Sequence, residues 1–225
     1  MVRAIIFDLD DTLISEKKYI ESGYQHISKL LSSRFNKDEH ELYQLLIRLF
    51  NESSRNVFNR LLDKLEIIYT KDTIMELVEE YRSHLPAIEL FDDVLPCLEF
   101  LKKKGIKLGI ITDGYANAQR QKLDAVGAYN YFDKIIVTDE LGREYWKPHP
   151  RAFEMIKETL NVEFEEIIYV GDNPKKDFYI SSIYPIKTIR VSRENGVYNL
   201  TDYYENIKED INIRSLNEMI EVLNI

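Results

Sequence analysis

The apolar and polar positions fall into three patterns along the chain. Val2-Arg3-Ala4-Ile5-Ile6-Phe7 is a short apolar run rich in β-branched and aromatic residues. Such a run suits a strand buried on both faces of a parallel sheet. It ends abruptly in three acids, within Asp8-Leu9-Asp10-Asp11-Thr12. Residues 15–84 then repeat at helical spacing: Tyr24, Ile27, Leu30 and Leu31; Leu42, Leu45, Leu46 and Leu49; Val57, Phe58, Leu61 and Leu62; Ile74, Leu77, Val78 and Tyr81. One glycine, Gly23, and no proline interrupt this block, and Pro86 closes it. Asp38 with Glu41 has the form of a capping box, and either Thr70 or Asp72 starts a later helix. Three or four amphipathic helices packed on one another are expected.

From residue 92 strand and helix alternate. The pattern predicts helices over 92–104, 116–126, 150–160 and 215–223, and a short one near 176–183. Strands are predicted over 107–111, 134–137, 166–170 and 187–191. Gly105 and Gly127 stand where helices end in a left-handed residue, and Pro150 suits a first helical turn. Repeated β-α units imply an α/β fold, a parallel sheet covered by helices on both faces. Residues 1–14 and 87–225 would make this domain, and residues 15–86 a helical insertion. An insertion directly after the first strand belongs over the carboxyl edge of the sheet, either as a lid or as an extension of the core.

Composition narrows the partners. Of the 225 residues, 44% are hydrophobic and 31% charged, as in a soluble globular protein. A formal net charge of −9 argues against nucleic acid as the main partner, though not against a small anion, since local charge decides that. The single cysteine, Cys97, excludes an internal disulfide and a cysteine-based zinc site, and its apolar neighbours predict a buried thiol. No stretch reaches membrane-spanning length, so no membrane partner is expected. The sequence opens directly on a strand, without a basic start or cleavage signal, which predicts the cytoplasm. Monomer and homodimer both stay open.

The chemistry collects where strands end, the place where open α/β sheets bind ligands. The first strand delivers Asp8 and Asp10, the second Thr112, the segment after the third Lys147, and the fourth Asp172, with Asp177 five residues on. Carboxylates crowded at a buried strand end need a compensating cation. Two aspartates, a hydroxyl, a lysine and a further acid pair suit phosphoryl transfer with a hard metal ion. Taken singly, Thr112 also reads as a helix cap, Lys147 as a surface charge and Asp177 as a first-turn acid.

Together, Asp8-Leu9-Asp10-Asp11-Thr12, Ile111-Thr112-Asp113-Gly114, Lys147-Pro148 and Gly171-Asp172-x-x-x-x-Asp177 resemble the haloacid dehalogenase superfamily, in its Mg²⁺-dependent phosphatase branch with a helical cap. The resemblance spans nearly the whole chain. It implies a Rossmann-like core with a small all-helical cap, and a hydrolase acting on a small phosphorylated metabolite, with a sugar phosphate or nucleotide monophosphate preferred. By the same resemblance, Asp8 is the nucleophile and forms an aspartyl-phosphate, and Asp10 is the general acid and base. Mg²⁺ is held by Asp8, the backbone carbonyl of Asp10 and Asp172, with Asp177 acting from behind or through water. Thr112 and the backbone N–H groups near Leu9 and Asp113 hold the phosphoryl oxygens, and Lys147 neutralises the nucleophile and the transferring group. Asp10 separates the chain from the dehalogenases, which lack that acid. It does not separate a phosphatase from a phosphomutase of the β-phosphoglucomutase type, and a non-catalytic binding module is a third reading.

Residues 140–148 run longer than the family pattern and include Arg143, Tyr145 and Trp146. These residues either face the pocket or form a surface loop with Trp146 packed on the core. Asp11 receives no chemistry and reads as a structural acid. Tyr19, Tyr24 and His26 are candidates for cap residues that meet the substrate.

Overall fold

The computed structural model describes residues 1–194, 196–197 and 202–222. They form two compact units, Met1–Lys17 with Ile88–Ile225, and Lys18–Ala87.

The first unit carries a six-stranded parallel sheet in the order β3-β2-β1-β4-β5-β6. Its strands are β1 (Ala4–Phe7), β2 (Lys107–Thr112), β3 (Lys134–Val137), β4 (Ile167–Gly171), β5 (Lys187–Val191) and β6 (Ile211–Ile213). β1 pairs with both β2 and β4, Phe7 lying opposite Ile110 on one side and Val170 on the other. The chain builds β2 and β3 on one flank of β1, then β4 to β6 on the other. The crevice at the carboxyl ends of β1 and β4 is therefore the topological switch point, where this architecture binds ligands.

Side chains alternate across the sheet. Ile5, Phe7, Leu108, Ile110, Ile168 and Val170 join one core with Cys97, Leu98 and Leu101 of α5 (Val94–Lys103), Leu123 of α6 (Ala116–Ala125), and Leu216 and Met219 of α8 (Leu216–Val222). Ala4, Ile6, Ile111, Ile136 and Tyr169 pack on the opposite face against Ala152, Phe153, Ile156 and Leu160 of α7 (Arg151–Leu160). Each fully buried Val, Leu, Ile, Phe or Met side chain among them contributes about 1.5–3 kcal/mol. Gly105 and Gly127 both take positive φ after their helices, as expected, and Cys97 is buried.

Two expectations are corrected. The helix expected over residues 176–183 is a 3-10 segment, Tyr179–Ser182, following a turn that contains Pro174. β6 was not foreseen: Ile-Asn-Ile is too short to show a period, and its pairing with β5 fixes it. The closing helix begins at Leu216, and Leu223, the expected last residue, lies outside the described residues.

The second unit is helical. α1 (Glu16–Phe35) enters it from the first, followed by α2 (Glu39–Glu52), α3 (Val57–Lys64) and α4 (Lys71–Ser83). Asp38 caps α2 through the Glu41 N–H, and Thr70 rather than Asp72 caps α4, in a reciprocal box with Thr73. Tyr24 packs among Phe50, Phe58 and Tyr81. Gly23 is required there, since a Cβ would lie 2.3 Å from the Tyr81 ring. Tyr24 thus belongs to the helical core, Tyr19 packs on Tyr81 and His84, and His26 pairs with Glu80 at 2.9 Å. No helix of the described residues is long and apolar enough to cross a membrane.

Candidate active site

Asp8 stands one residue beyond β1, its N–H bonded to the Val170 carbonyl of β4. That bond fixes the carboxylate at the switch point. Lys147 Nζ donates to Asp8 Oδ1 at 2.6 Å, to Asp177 Oδ1 at 2.8 Å and to the Tyr169 hydroxyl at 2.8 Å. The Lys147 side chain is fully buried, as is that of Asp177. All three donors of the ammonium are therefore used, and the charge is paired as burial demands. Tyr169, in the middle of β4, also donates to Asp177 Oδ1 at 3.1 Å.

The second oxygen of Asp8 is buried and has no hydrogen-bond partner. Burial, opposed by Lys147 and aided by Asp177, pushes the Asp8 carboxyl up to about 6. Asp172, after β4, is raised well above the carboxylate range by burial and by Asp177 and Asp8. One oxygen each of Asp8, Asp172 and Asp177 lies within 4.8 Å of the others. An orphaned carboxylate oxygen beside two further acids, all oxygen donors, fits a hard divalent cation. Within that set, both Asp177 oxygens already accept, Oδ1 from Lys147 and Tyr169 and Oδ2 from the Asn173 N–H. Asp177 reaches this position because Gly171 lacks a Cβ, which would stand 2.5 Å from Asp177 Oδ2.

Asp10 points to a different set of partners. Lys122 Nζ donates to its Oδ1 at 2.7 Å, and Gln119 Nε2 to its Oδ2 at 2.9 Å. Burial opposes ionisation, but the charge and hydrogen bonds of Lys122 and Gln119 prevail and hold Asp10 below the usual carboxylate value. Gln119 also donates to Thr112 Oγ1 at 2.5 Å and to the Asp113 carbonyl at 2.9 Å, which ties the ends of β1 and β2 together. Asp113 Oδ1 accepts from Thr138 Oγ1 and from the Lys147 N–H, so its side chain braces the lysine segment. Leu9 is fully buried in the core.

The sequence-derived residues Asp8, Asp172, Asp177 and Lys147 thus form one cluster, and Asp10, Thr112 and Asp113 a second group joined through Gln119 and Lys147. Asp11, at φ 50°, accepts the N–H groups of Glu16 and Val197, a local structural role. Trp146 is half-buried, donates to Asp139 Oδ1 at 3.2 Å and carries Arg143 over its ring. Asp139 Oδ2 accepts the Ala116 N–H, so the long segment is moored to the start of α6. Sequence reasoning missed Gln119, Lys122 and Tyr169. A signal for the first two was present: they stand three apart, on one face of a helix that starts just after the Thr112 turn.

The family model for haloacid dehalogenase-like hydrolases matches residues 5–191. A glyceraldehyde 3-phosphate phosphatase of Methanopyrus kandleri is 30% identical over 200 residues, covering 86% of this chain and 85% of that protein. A glyceraldehyde 3-phosphate phosphatase of Methanocaldococcus jannaschii is 27% identical over 228 residues, covering 99% of this chain and 97% of that one. Among solved structures, a haloacid dehalogenase-type phosphatase from Thermococcus onnurineus matches with a TM-score of 0.63 at 27% identity, covering 99% of this chain and 98% of the other.

Proposed function

Because the chain belongs to the haloacid dehalogenase-like hydrolases, we propose that it is a Mg²⁺-dependent phosphatase that hydrolyses a small phosphorylated metabolite through an aspartyl-phosphate on Asp8. The observation that carries this reading is the asymmetry of Asp8: one oxygen is held by Lys147 and the other is buried without a partner. An oxygen so placed is open to a partner from outside, a cation or phosphorus.

Asp8, Asp172 and the Asp10 carbonyl would hold Mg²⁺, with Asp177 steering from behind. The ion would supply charge neutralisation for the attacking carboxylate and the phosphoryl oxygens. Thr112 and the backbone near Leu9 and Asp113 orient the phosphoryl group for in-line attack, and Lys147 offsets its charge. Asp10 protonates the leaving oxygen with a proton taken up from the substrate's phosphate monoanion or from solvent, since against burial Lys122 and Gln119 hold its resting carboxyl ionised. Its ionised form, hydrogen-bonded to Gln119 and Lys122, is the form that then activates water. In this reading the helical insertion acts as the cap, and substitutions in it alter the ranking of substrates.

A triose phosphate is the first substrate to try, given the names of the two relatives, with sugar phosphates and nucleotide monophosphates beside it. Purified protein with Mg²⁺ is offered this panel and both products are quantified. Release of one free phosphate per substrate consumed supports a phosphatase. An isomeric phosphate without release points to a phosphomutase, and no turnover of any member contradicts the reading.

A further inference from the structure

The turn after β4 carries two adjacent lysines with different fates. Asn173 Oδ1 accepts the Lys175 N–H, and the Asn173 carbonyl accepts those of Lys176 and Asp177. Lys175 is 52% exposed and pairs with the exposed Asp202 at 3.2 Å. Lys176 is 26% exposed, and its ammonium lies 3.6 Å from Asp113 Oδ2. That separation is too long for a hydrogen bond. Among the described residues Lys176 Nζ donates to nothing, whereas Lys147 uses all three of its donors. Burial and Lys147 both work against the Lys176 charge, and Asp8, Asp113 and Asp177 outweigh them and keep it protonated.

A mostly covered ammonium with unused donors, among the acids of an anion-processing site, implies an acceptor that arrives from outside. We propose that Lys176 is a second phosphoryl-binding cation, donating to an oxygen of the transferring group; the proposal rests on the phosphatase reading above. Charge balance supports it. Asp8, Asp113, Asp172 and Asp177 outnumber Lys147 and Lys176 by two, the charge of one divalent ion. Without Lys176 the cation-loaded site stays net negative and repels a phosphate dianion, yet attracts a metal ion more strongly.

The test therefore has two readouts of opposite sign. Binding of Mg²⁺ alone, and of inorganic phosphate at saturating Mg²⁺, is measured by calorimetry on the full chain and on Lys176→Met, Lys176→Arg and Lys175→Met. Lys176→Met is expected to weaken phosphate binding about 10- to 100-fold, with Mg²⁺ affinity kept or raised. Lys176→Arg recovers most of the loss, and Lys175→Met behaves as the parent. Unchanged phosphate affinity in Lys176→Met overturns the proposal, as does a parallel loss of phosphate and Mg²⁺ binding. Asp8→Asn is assayed alongside for turnover: if it still hydrolyses, the phosphatase mechanism fails, whereas the Lys176 binding result is read independently of turnover.

Discussion

At the first strand end, three neighbouring acids have three environments. Asp8 shares one oxygen with Lys147 and leaves the other bare. Asp10 is held by Lys122 and Gln119. Asp11 takes a left-handed backbone and accepts two backbone N–H groups. This division predicts that Asp11→Asn keeps kcat within a few-fold and loses about 1 kcal/mol of stability, read by steady-state assay and urea unfolding. A kcat loss as large as that of Asp8→Asn would show Asp11 to be chemical. The positions of Asp8, Thr112, Lys147, Asp172 and Asp177 at or after strand ends were legible, because polar residues close each apolar run. Tyr169 and Lys176 were not. Tyr169 looks like any aromatic in a buried strand, and only the folded register aims its hydroxyl at Lys147. Lys176 and Lys175 are equivalent in sequence and are separated only by the Asn173 turn.

Among the elements, strands and long helices were legible from their periods, because burial on two faces or on one imposes them. Short pieces were not. β6 is three residues, and its pairing partner, not its composition, makes it a strand. The element ends carry their own predictions. Gly171, the last residue of β4, admits the Asp177 carboxylate, and Gly171→Ala would force the two apart. The expected result is a drop in kcat of about 10- to 100-fold with Tm only modestly lowered. Activity unchanged in that variant would deny Asp177 its positioning role.

Asp93 joins two elements. It precedes α5, accepts from both terminal nitrogens of Arg193, and also accepts the Ser215 hydroxyl and the Leu216 N–H at the start of α8. Burial works against its charge, and Arg193 and Ser215 overcome this, holding the folded carboxyl below its usual value. A depressed folded pKa contributes stability above the unfolded value near 3.9 and loses it as pH falls through the folded one. Asp93→Asn should therefore cost about 1–3 kcal/mol at pH 7. The gap from the parent should narrow as unfolding is measured at pH 4 and below. A gap independent of pH would show that the charge contributes nothing.

For the molecule as a whole, the parallel sheet and the helices between β1 and β2 were both legible from where the apolar period changes. The site was legible as a class, since polar groups gather where β1 and β4 part. Its wiring was not, because Gln119 and Lys122 reach Asp10 across 109 and 112 residues. The overall charge of −9 gives no hint of an anionic substrate; in the proposed mechanism Lys147, Lys176 and a divalent ion would supply the local attraction. The most direct test of the central claim is phosphate release from a turned-over substrate by chelator-treated protein, titrated with Mg²⁺, for the parent and Asp8→Asn. The account predicts no release without metal, saturable recovery with Mg²⁺ in the parent, and a loss of roughly 10³-fold or more in Asp8→Asn at every Mg²⁺ concentration. Metal-independent release, or comparable turnover by Asp8→Asn, would contradict it.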